Sequence, residues 1–192
     1  KAALLGIERK KQLAAQIDAC RTTLSNLLSA AGHARAEGGG RETLDRLVES
    51  VVARVRLARP QARLAVDLEG DGPAPTIFAD AALKQALVNL VDNAADVSPD
   101  DVRIDASWTV EALDFVVRDR GPGIAPDVLP RLGRSFFTTK PPGRGTGLGL
   151  VLTAAVLNRL GGSVRWANRD GGGAEAFVRL PLASLTLPSR QT

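Results

Sequence analysis

The sequence predicts an α/β two-layer sandwich in which helices cover one face of a sheet. Two patterns support this fold class. Segments with apolar residues at every second position occur in pairs, and they alternate with segments whose apolar residues recur every three or four positions, one of them almost entirely apolar. At 192 residues, 44% of them hydrophobic, the chain is long enough for one globular domain and a smaller element.

The composition excludes several kinds of site and partner. One cysteine, Cys20, and one histidine, His33, leave no internal disulfide and almost nothing for zinc. The formal charge is +4, but only 4% of the residues are aromatic and no long basic block occurs, so we expect no nucleic-acid partner. No apolar run approaches the length of a membrane span and no signal segment opens the chain, so we expect a cytoplasmic fragment without a membrane segment.

The first predicted element is an amphipathic helix over residues 8–31. Its apolar positions lie three or four residues apart, at Leu13, Ile17, Cys20, Leu24, Leu27 and Ala31. The seam that they form is narrow, which favours packing against other helices in a bundle or a dimer; packing on the main domain is the alternative. Because the sequence begins at Lys1 and contains no methionine, we expect it to be part of a longer protein.

Three consecutive glycines at residues 38–40 indicate a linker after this helix. We therefore assign residues 1–36 to a partial helical element, 37–41 to the linker, 42–184 to the main domain and 185–192 to a polar tail.

The main domain alternates between predicted strands and helices. Strands are predicted over residues 63–68, 76–78, 102–108, 112–118, 163–168 and 175–180, and the third and fourth of them are most simply a hairpin. Helices are predicted over residues 42–57, 80–97, 126–132 and 148–160. Asp80 is a suitable N-cap for the second of these helices, and Gly161 with Gly162 ends the last. Residues 133–146 have turn composition and no period, which is typical of a functional lid or a disordered loop.

The helix over residues 80–97 carries the first candidate site. Asn89 and Asn93 lie four positions apart and Asp96 lies one turn further, so the three share a face that points away from the leucine residues. Amide oxygens of asparagine are hard ligands suited to magnesium, which takes its other ligands from water and nucleotide phosphates. A solvated polar face is the alternative.

The second candidate site follows the strand over residues 112–118. Asp119 would place an acceptor-only carboxylate at the end of this strand, which fits the exocyclic amine of adenine and disfavours the carbonyl of guanine. Gly121 and Gly123 remove side chains where a base must approach the backbone. An ordinary aspartate-containing turn is the alternative.

A glycine-rich stretch at the start of the last helix forms the third candidate site. Gly145, Gly147 and Gly149, with Thr146 and Leu148 between them, can present backbone amides to a phosphate at the positive end of the helix dipole. No Gly-Lys-Ser/Thr sequence follows, which excludes a Walker-type site.

The preceding loop carries two cations and two aromatic residues. Lys140 and Arg144 can reach the phosphates once the loop closes, and Phe136 with Phe137 can anchor it in an apolar groove. Solvated loop charges and ordinary core aromatic residues are the respective alternatives.

The motifs follow one another in the order Asn89…Asn93, Asp119-x-Gly-x-Gly123, Phe136-Phe137 and Gly145-x-Gly-x-Gly149. With this order the chain resembles, over roughly residues 41–182, the catalytic ATP-binding domain of two-component sensor histidine kinases, whose N, G1, F and G2 boxes the four motifs match. The resemblance implies a Bergerat-type (GHKL) fold, a mixed sheet backed by three helices, with an ATP lid between the F and G2 boxes. It also implies ATP and Mg²⁺ as cofactors.

Carried over position by position, the resemblance implies a role for each motif residue. Asn93 would coordinate magnesium, Asn89 would assist catalysis at the phosphates, and Asp119 would hold the adenine amine. The phosphates would be lined by Gly145, Gly147 and Gly149.

The resemblance further implies an enzyme, a protein-histidine kinase. It would donate the ATP γ-phosphoryl to a histidine on a phosphoacceptor helix of the same or the partner subunit, for relay to an aspartate of a response regulator. The helix before Gly38 resembles the second helix of the dimerisation and phosphotransfer hairpin, which implies a homodimeric parent with any membrane anchor upstream. His33 lacks the acidic neighbour and the Thr-Pro pair of the acceptor motif, so we expect the acceptor outside this chain and no autophosphorylation by this chain alone.

Residues 16–24 around Cys20 resemble the redox-responsive RegB/PrrB-like branch, in which a cysteine at such a place is implicated in redox control through an intersubunit disulfide. Arg21 and the basic start of the helix would favour the thiolate, whereas the apolar seam opposes it. A buried core cysteine is the alternative.

Two other functions stay open. ATP-driven machines of the same fold, such as gyrases, chaperones and mismatch-repair ATPases, carry a glutamate as the base for water four residues before the magnesium asparagine. Asn89 occupies that position here, so water is poorly activated and transfer to a nucleophile from another element is favoured. A degenerate, non-catalytic ATP-binding or dimerisation module is the third possibility.

Overall fold

A computed structural model of the protein describes residues 40–134 and 148–186, which belong to the unit Gly40–Thr192 of the chain. The strands are β1 (Gly40–Thr43), β2 (Leu64–Gly70), β3 (Thr76–Ala79), β4 (Val102–Trp108), β5 (Ala112–Asp119), β6 (Ser163–Asn168) and β7 (Ala174–Pro181). The helices are α1 (Leu44–Ala58), α2 (Ala81–Val97), α3 (Gly149–Arg159) and α4 (Leu182–Thr186). None of the helices in these two ranges is long and apolar enough to cross a membrane.

The main sheet has five strands in the order β2-β4-β5-β7-β6. The β2–β4 pair is parallel and the other three pairs are antiparallel, so the sheet is mixed, as expected. A parallel pair needs a crossover connection, and β3 with α2 supplies it. The predicted α/β sandwich is thereby confirmed, together with the predicted hairpin of β4 and β5.

One face of the sheet forms the core with the helices. Cross-strand rows of apolar side chains run along this face, for example Ile104–Val117–Ala176 and Ala106–Phe115–Val178. All six side chains are buried, and Phe115 and Val178 have no exposed surface. Helix α2 packs its apolar face here, including Leu87 and Val91, because residues three or four apart share one side of a helix.

The opposite face of the sheet is polar. Arg118 forms ion pairs with Asp105 and with Glu175, and Arg179 pairs with Asp114 at 3.3 Å. Alternation of side chains along β4, β5 and β7 therefore separates a helix-covered face from a charged one. The described helices therefore pack on one face of the sheet alone, and sheet and helices form the two layers predicted from the sequence.

The start of the domain differs from the prediction. The prediction places Gly40 and Arg41 in a linker and Glu42 in a helix, but these residues form β1, which pairs antiparallel with β3, and α1 begins only at Leu44. Consequently β2 and β3 pair with other strands and not with each other. The four residues of β1 have no apolar alternation, so only their distant partner identifies them as a strand.

Two further elements differ. Within the helix predicted over residues 126–132, the structure has only the 3₁₀ turn Leu129–Arg131, because Pro130 has no amide hydrogen to continue a helix. Residues 182–186 form α4, where the prediction has a polar tail from residue 185; Leu182 and Leu185 are buried in the core. The helix predicted over residues 8–31 lies outside the described residues.

A charged clamp joins the end of α1 to α2. Arg59 donates two hydrogen bonds to Asp92, at 2.5 and 3.1 Å, and one to Asp96 at 2.8 Å. The bonds to Asp92 raise the pKa of the Arg59 guanidinium above its ordinary value, so the group stays charged throughout the accessible pH range.

We expect Arg59→Ala to lower the free energy of unfolding by about 1 kcal/mol, because two partly exposed carboxylates on α2 lose their counter-charge. Urea unfolding of the variant would measure this loss, and high salt should reduce it. The exposed Arg54, on helix α1, offers a matched control in Arg54→Ala. Equal stability of the two variants would contradict the clamp.

Candidate functional site

A cleft of about 220 Å³ lies at the end of β5 that Asp119 occupies. Helix α2, the loop after β5, the start of α3 and strands β6 and β7 contribute to its walls. The lining is mainly apolar, with contributions from Leu90, Val97, Ile124, Val128, Leu150 and Trp166. Asp119 and Asn93 bring polar groups to the same cleft, which suits a planar ring with a few polar edges.

Asp119 is held in place by backbone groups. Its side chain is buried, at 7% exposure, and Oδ1 accepts hydrogen bonds from the amides of Gly121 at 2.8 Å and Ala174 at 3.1 Å. Both of these bonds use Oδ1 and so leave acceptor capacity on Oδ2 for a donor in the cleft. An oriented carboxylate thus lies at the end of this strand.

The two glycines after Asp119 allow a tight loop against the protein itself. A Cβ atom at Gly121 would lie 2.9 Å from Cγ2 of Val97. Gly123 has a φ of 78°, and a Cβ there would lie 3.0 Å from Oδ1 of Asn168. Position 123 therefore favours glycine for its backbone conformation whether or not a base approaches it, and a side chain at position 121 would require Val97 to shift.

The turn between β6 and β7 supports this loop, a contact that sequence reasoning missed. Asn168 accepts a hydrogen bond from the Ile124 amide at 2.7 Å and donates one to the Ile124 carbonyl at 2.8 Å. Arg169 donates to the peptide oxygen of Asp119 at 2.7 Å. The run of glycines at residues 171–173 is the available signal, but its composition alone predicts only a turn.

The two asparagines of α2 have different surroundings. Asn93 lines the cleft together with Asp119. Asn89 faces the start of α3, where its Nδ2 lies 3.4 Å from the Gly149 carbonyl and 3.5 Å from the Thr153 hydroxyl. Its Oδ1 accepts a hydrogen bond from Gln85 at 2.8 Å.

Asp96 does not accompany Asn93 into the cleft. It forms the ion pair with Arg59 at 2.8 Å, on the side of α2 that faces the end of α1. Within the described ranges, no group of three or more histidine, cysteine, aspartate or glutamate side chains could hold a metal ion. Asn93 offers an amide oxygen of the kind that binds magnesium, whose other ligands are commonly water and nucleotide phosphates.

The glycine-rich candidate site is described only at its end. Leu148 precedes α3, and Gly149 is the first residue of that helix and lies next to Asn89. Six candidate residues lie outside the described residues: Cys20, Lys140, Arg144, Gly145, Thr146 and Gly147. His33, Phe136 and Phe137 lie outside them as well.

Comparisons with known proteins give a consistent result. The family model for histidine kinase-, DNA gyrase B-, and HSP90-like ATPases matches residues 79–184. The chain is 36% identical to sensor protein QseC of Salmonella typhi over 141 residues, which are 71% of this chain and 30% of that protein. It is 40% identical to histidine protein kinase DivJ of Caulobacter vibrioides over 143 residues, 70% of this chain and 24% of that protein. The chain therefore spans less than a third of each of these relatives.

Solved structures have the same fold. The mycobacterial sensor histidine kinase MprB matches with a TM-score of 0.62 at 24% identity, over 74% of this chain and 97% of that one. The catalytic domain of histidine kinase ThkA matches with a TM-score of 0.61 at 25% identity, over 75% of this chain and 95% of that one.

The glycines of the β6–β7 turn offer a test of the close packing around Asp119. Gly172 and Gly173 have φ values of 99° and 91°, but a Cβ at Gly173 would overlap the peptide oxygen of Asp119, whereas one at Gly172 would meet nothing within 4 Å. We expect Gly172→Ala to cost about 1 kcal/mol of stability from backbone strain alone. Gly173→Ala should cost about 3 kcal/mol because overlap adds to strain.

Chemical denaturation of both variants would measure the difference. Since the backbone strain is nearly the same, a difference reports the contact with Asp119. Equal destabilisation would contradict the close approach.

Proposed function

Because this chain belongs to the family of histidine kinase-, DNA gyrase B-, and HSP90-like ATPases, we propose that its described domain binds ATP as the phosphoryl donor of a sensor histidine kinase. The observation that carries this proposal is the oriented carboxylate of Asp119 in an apolar cleft that Asn93 also lines. The apolar cleft would hold the purine ring, and Asn93 would bind the Mg²⁺ that accompanies the phosphates. The relatives named above support the sensor kinase.

Adenine recognition would rest on Asp119. A carboxylate can only accept hydrogen bonds, and the backbone amides of Gly121 and Ala174 engage Oδ1, so Oδ2 would receive the exocyclic amine of adenine. Guanine would place a carbonyl oxygen against the same carboxylate and would be disfavoured. The apolar walls from Leu90, Ile124 and Trp166 would take up the faces and edges of the ring.

The phosphates would lie towards the start of α3. Asn93 would hold Mg²⁺ through its amide oxygen, and bound Mg²⁺ would offset the negative charge of the phosphates. Asn89, next to Gly149, would assist catalysis at the phosphates.

The glycine-rich segment would line the phosphates with its backbone amides, from Gly145, Thr146, Gly147, Leu148 and Gly149. Lys140 and Arg144 would add positive charge next to the phosphates. Asp96 receives less support, because its ion pair with Arg59 directs it away from the cleft.

The reaction would be transfer to a histidine nitrogen. That nitrogen attacks the γ-phosphorus of ATP while the bond from this phosphorus to the β–γ bridging oxygen breaks, which leaves ADP and phosphohistidine. An aspartate of a response regulator then receives the phosphoryl group. Asn89 cannot act as a base for water, which favours transfer over hydrolysis. We propose an acceptor outside residues 1–192, on a helix of the same or the partner subunit of a homodimer, and a membrane anchor, where present, upstream of the domain.

Nucleotide titrations would test the Asp119 assignment. We expect Asp119→Ala to weaken ATP binding by about tenfold to a hundredfold, as expected for losing a hydrogen bond to a charged group. Asp119→Asn should narrow or invert the preference for ATP over GTP, because an amide can donate to the guanine carbonyl. Calorimetric dissociation constants for both nucleotides would report these changes, with Asp100→Asn, at an exposed position, as the control.

Unchanged ATP affinity in Asp119→Ala would contradict the proposed pocket. The same titrations with and without Mg²⁺ would test whether Asn93 holds the metal ion. Mg²⁺ should raise the ATP affinity of the wild type, and this increase should disappear in Asn93→Ala. A wild-type domain that binds no ATP in either condition would favour a degenerate module.

We further propose that Cys20 confers redox control in the manner of the RegB/PrrB-like branch, on the sequence resemblance around residues 16–24. Oxidation would then join two chains through a disulfide. We expect a dimer band on a non-reducing gel after mild oxidation of the wild-type chain. Cys20→Ser should remove that band, and its persistence would contradict the redox role.

A further inference from the structure

We propose that the β6–β7 turn, residues 168–174, is the positioning element for the base-binding loop, residues 119–124, and that Asn168 is its principal side chain. This inference rests on the proposed function, since the loop that is positioned carries Asp119. Neither Asn168 nor Arg169 belongs to the four sequence motifs, and neither is among the described residues that line the cleft. Their effect on a nucleotide would be exerted through the loop.

Contacts from the turn reach both ends of the loop. At one end, Arg169 donates to the Asp119 peptide oxygen at 2.7 Å and the Ala174 amide donates to the Asp119 carboxylate at 3.1 Å. At the other end, Asn168 engages both the amide and the carbonyl of Ile124. Because Asp119 and Ile124 are the first and last residues of the loop, the turn fixes it at its two limits.

The turn is itself well fixed. The Arg169 amide donates to the Gly173 carbonyl at 3.0 Å, and the Gly172 amide donates to the Arg169 carbonyl at 3.2 Å. Strands β6 and β7 pair up to Asn168 and Ala174, so the sheet holds both ends of the turn. A short segment closed in this way can hold a neighbouring loop without large rearrangement.

The contact of Asn168 with Ile124 requires a side chain that donates and accepts at once. The side-chain amide of asparagine does both, as the backbone of a residue in a strand pair does. A carboxylate of the same size accepts from the Ile124 amide but repels the Ile124 carbonyl. Asn168 is exposed and outside the core, so its replacement should leave the fold intact.

Loss of this contact would change the cleft selectively. The Asp119 carboxylate would keep its bonds to Gly121 and Ala174, whereas Ile124, which lines the cleft, would lose its fixed position. The binding of the base would weaken, and the discrimination between adenine and guanine would decrease with it.

The experiment uses the full chain and compares Asn168→Ala and Asn168→Asp with Asn158→Ala, which removes an exposed asparagine of α3. One measurement is hydrogen exchange of the Ile124 amide without nucleotide, and the other is the affinity for ATP and GTP. We expect exchange of the Ile124 amide to accelerate about tenfold in Asn168→Ala, whereas Asn168→Asp keeps the acceptor for this amide and should change its exchange less. ATP affinity should fall about fivefold in both variants, with a smaller ATP-to-GTP ratio, because both lose the hydrogen bond to the Ile124 carbonyl. Asn158→Ala should match the wild type in each measurement.

An Asn168→Asp variant that binds ATP as the wild type does would overturn the positioning role, and so would unchanged exchange of the Ile124 amide in Asn168→Ala. A simple loss of stability would lower the melting temperature without altering the ATP-to-GTP ratio, and that result also overturns the role. If the wild-type domain binds no ATP, the proposed function fails. Unchanged exchange of the Ile124 amide in Asn168→Ala would separately refute the contact.

Discussion

A carboxylate that is almost withdrawn from water must find hydrogen-bond donors, and this requirement organises the described domain. Asp119 obtains two donors from backbone amides, one in its own loop and one in β7. Both come from segments that approach the strand end closely. A Cβ at Gly121 would lie 3.2 Å from the Asp119 carboxylate oxygen, and one at Gly173 would overlap the Asp119 peptide oxygen. The sheet order supports this approach because β5 lies directly beside β7. The position of the Asp119 carboxylate in the cleft thus depends both on the order of the strands and on the glycines beside it.

Helix α2 is the second element on which the cleft depends. Its apolar side packs on the sheet through residues such as Leu87 and Val91, and Asn93 on another side lines the cleft. Arg59 fixes the exposed side of its last turns through Asp92 and Asp96. Because all three sides are engaged, the rotation of α2 about its own axis is well defined. The position of Asn93 relative to Asp119 follows from it.

Much of this fold could be predicted from the sequence, because periodicity is a local property. The strands around Ile104 and Phe115 and the helix that Asp80 caps all follow from patterns a few residues long. Strand β1 could not be predicted in this way, since a helix and another strand separate it from its partner, as in the pairing of Glu42 with Ile77.

Side-chain contacts were harder to predict than strands and helices. Asp96 shares a helical face with Asn93 in the sequence pattern, but it pairs with Arg59, which lies far from it in the sequence and adjacent to it in the fold. Nothing local distinguishes Asn168 from any other polar residue at a strand end. Its role follows only from the approach of the β6–β7 turn to Ile124.

The ladder between β1 and β3 has a mechanical consequence. Antiparallel pairing runs from Gly40 with Ala79 to Thr43 with Thr76, and the Glu42–Lys84 ion pair at 2.8 Å links the same strand to α2. A load applied to the chain at Gly40 would therefore pass into β3 and, through the next residue, Asp80, into the helix that carries Asn93. A pull on the described domain at Gly40 would thus reach the helix that carries Asn93 through a hydrogen-bonded strand pair.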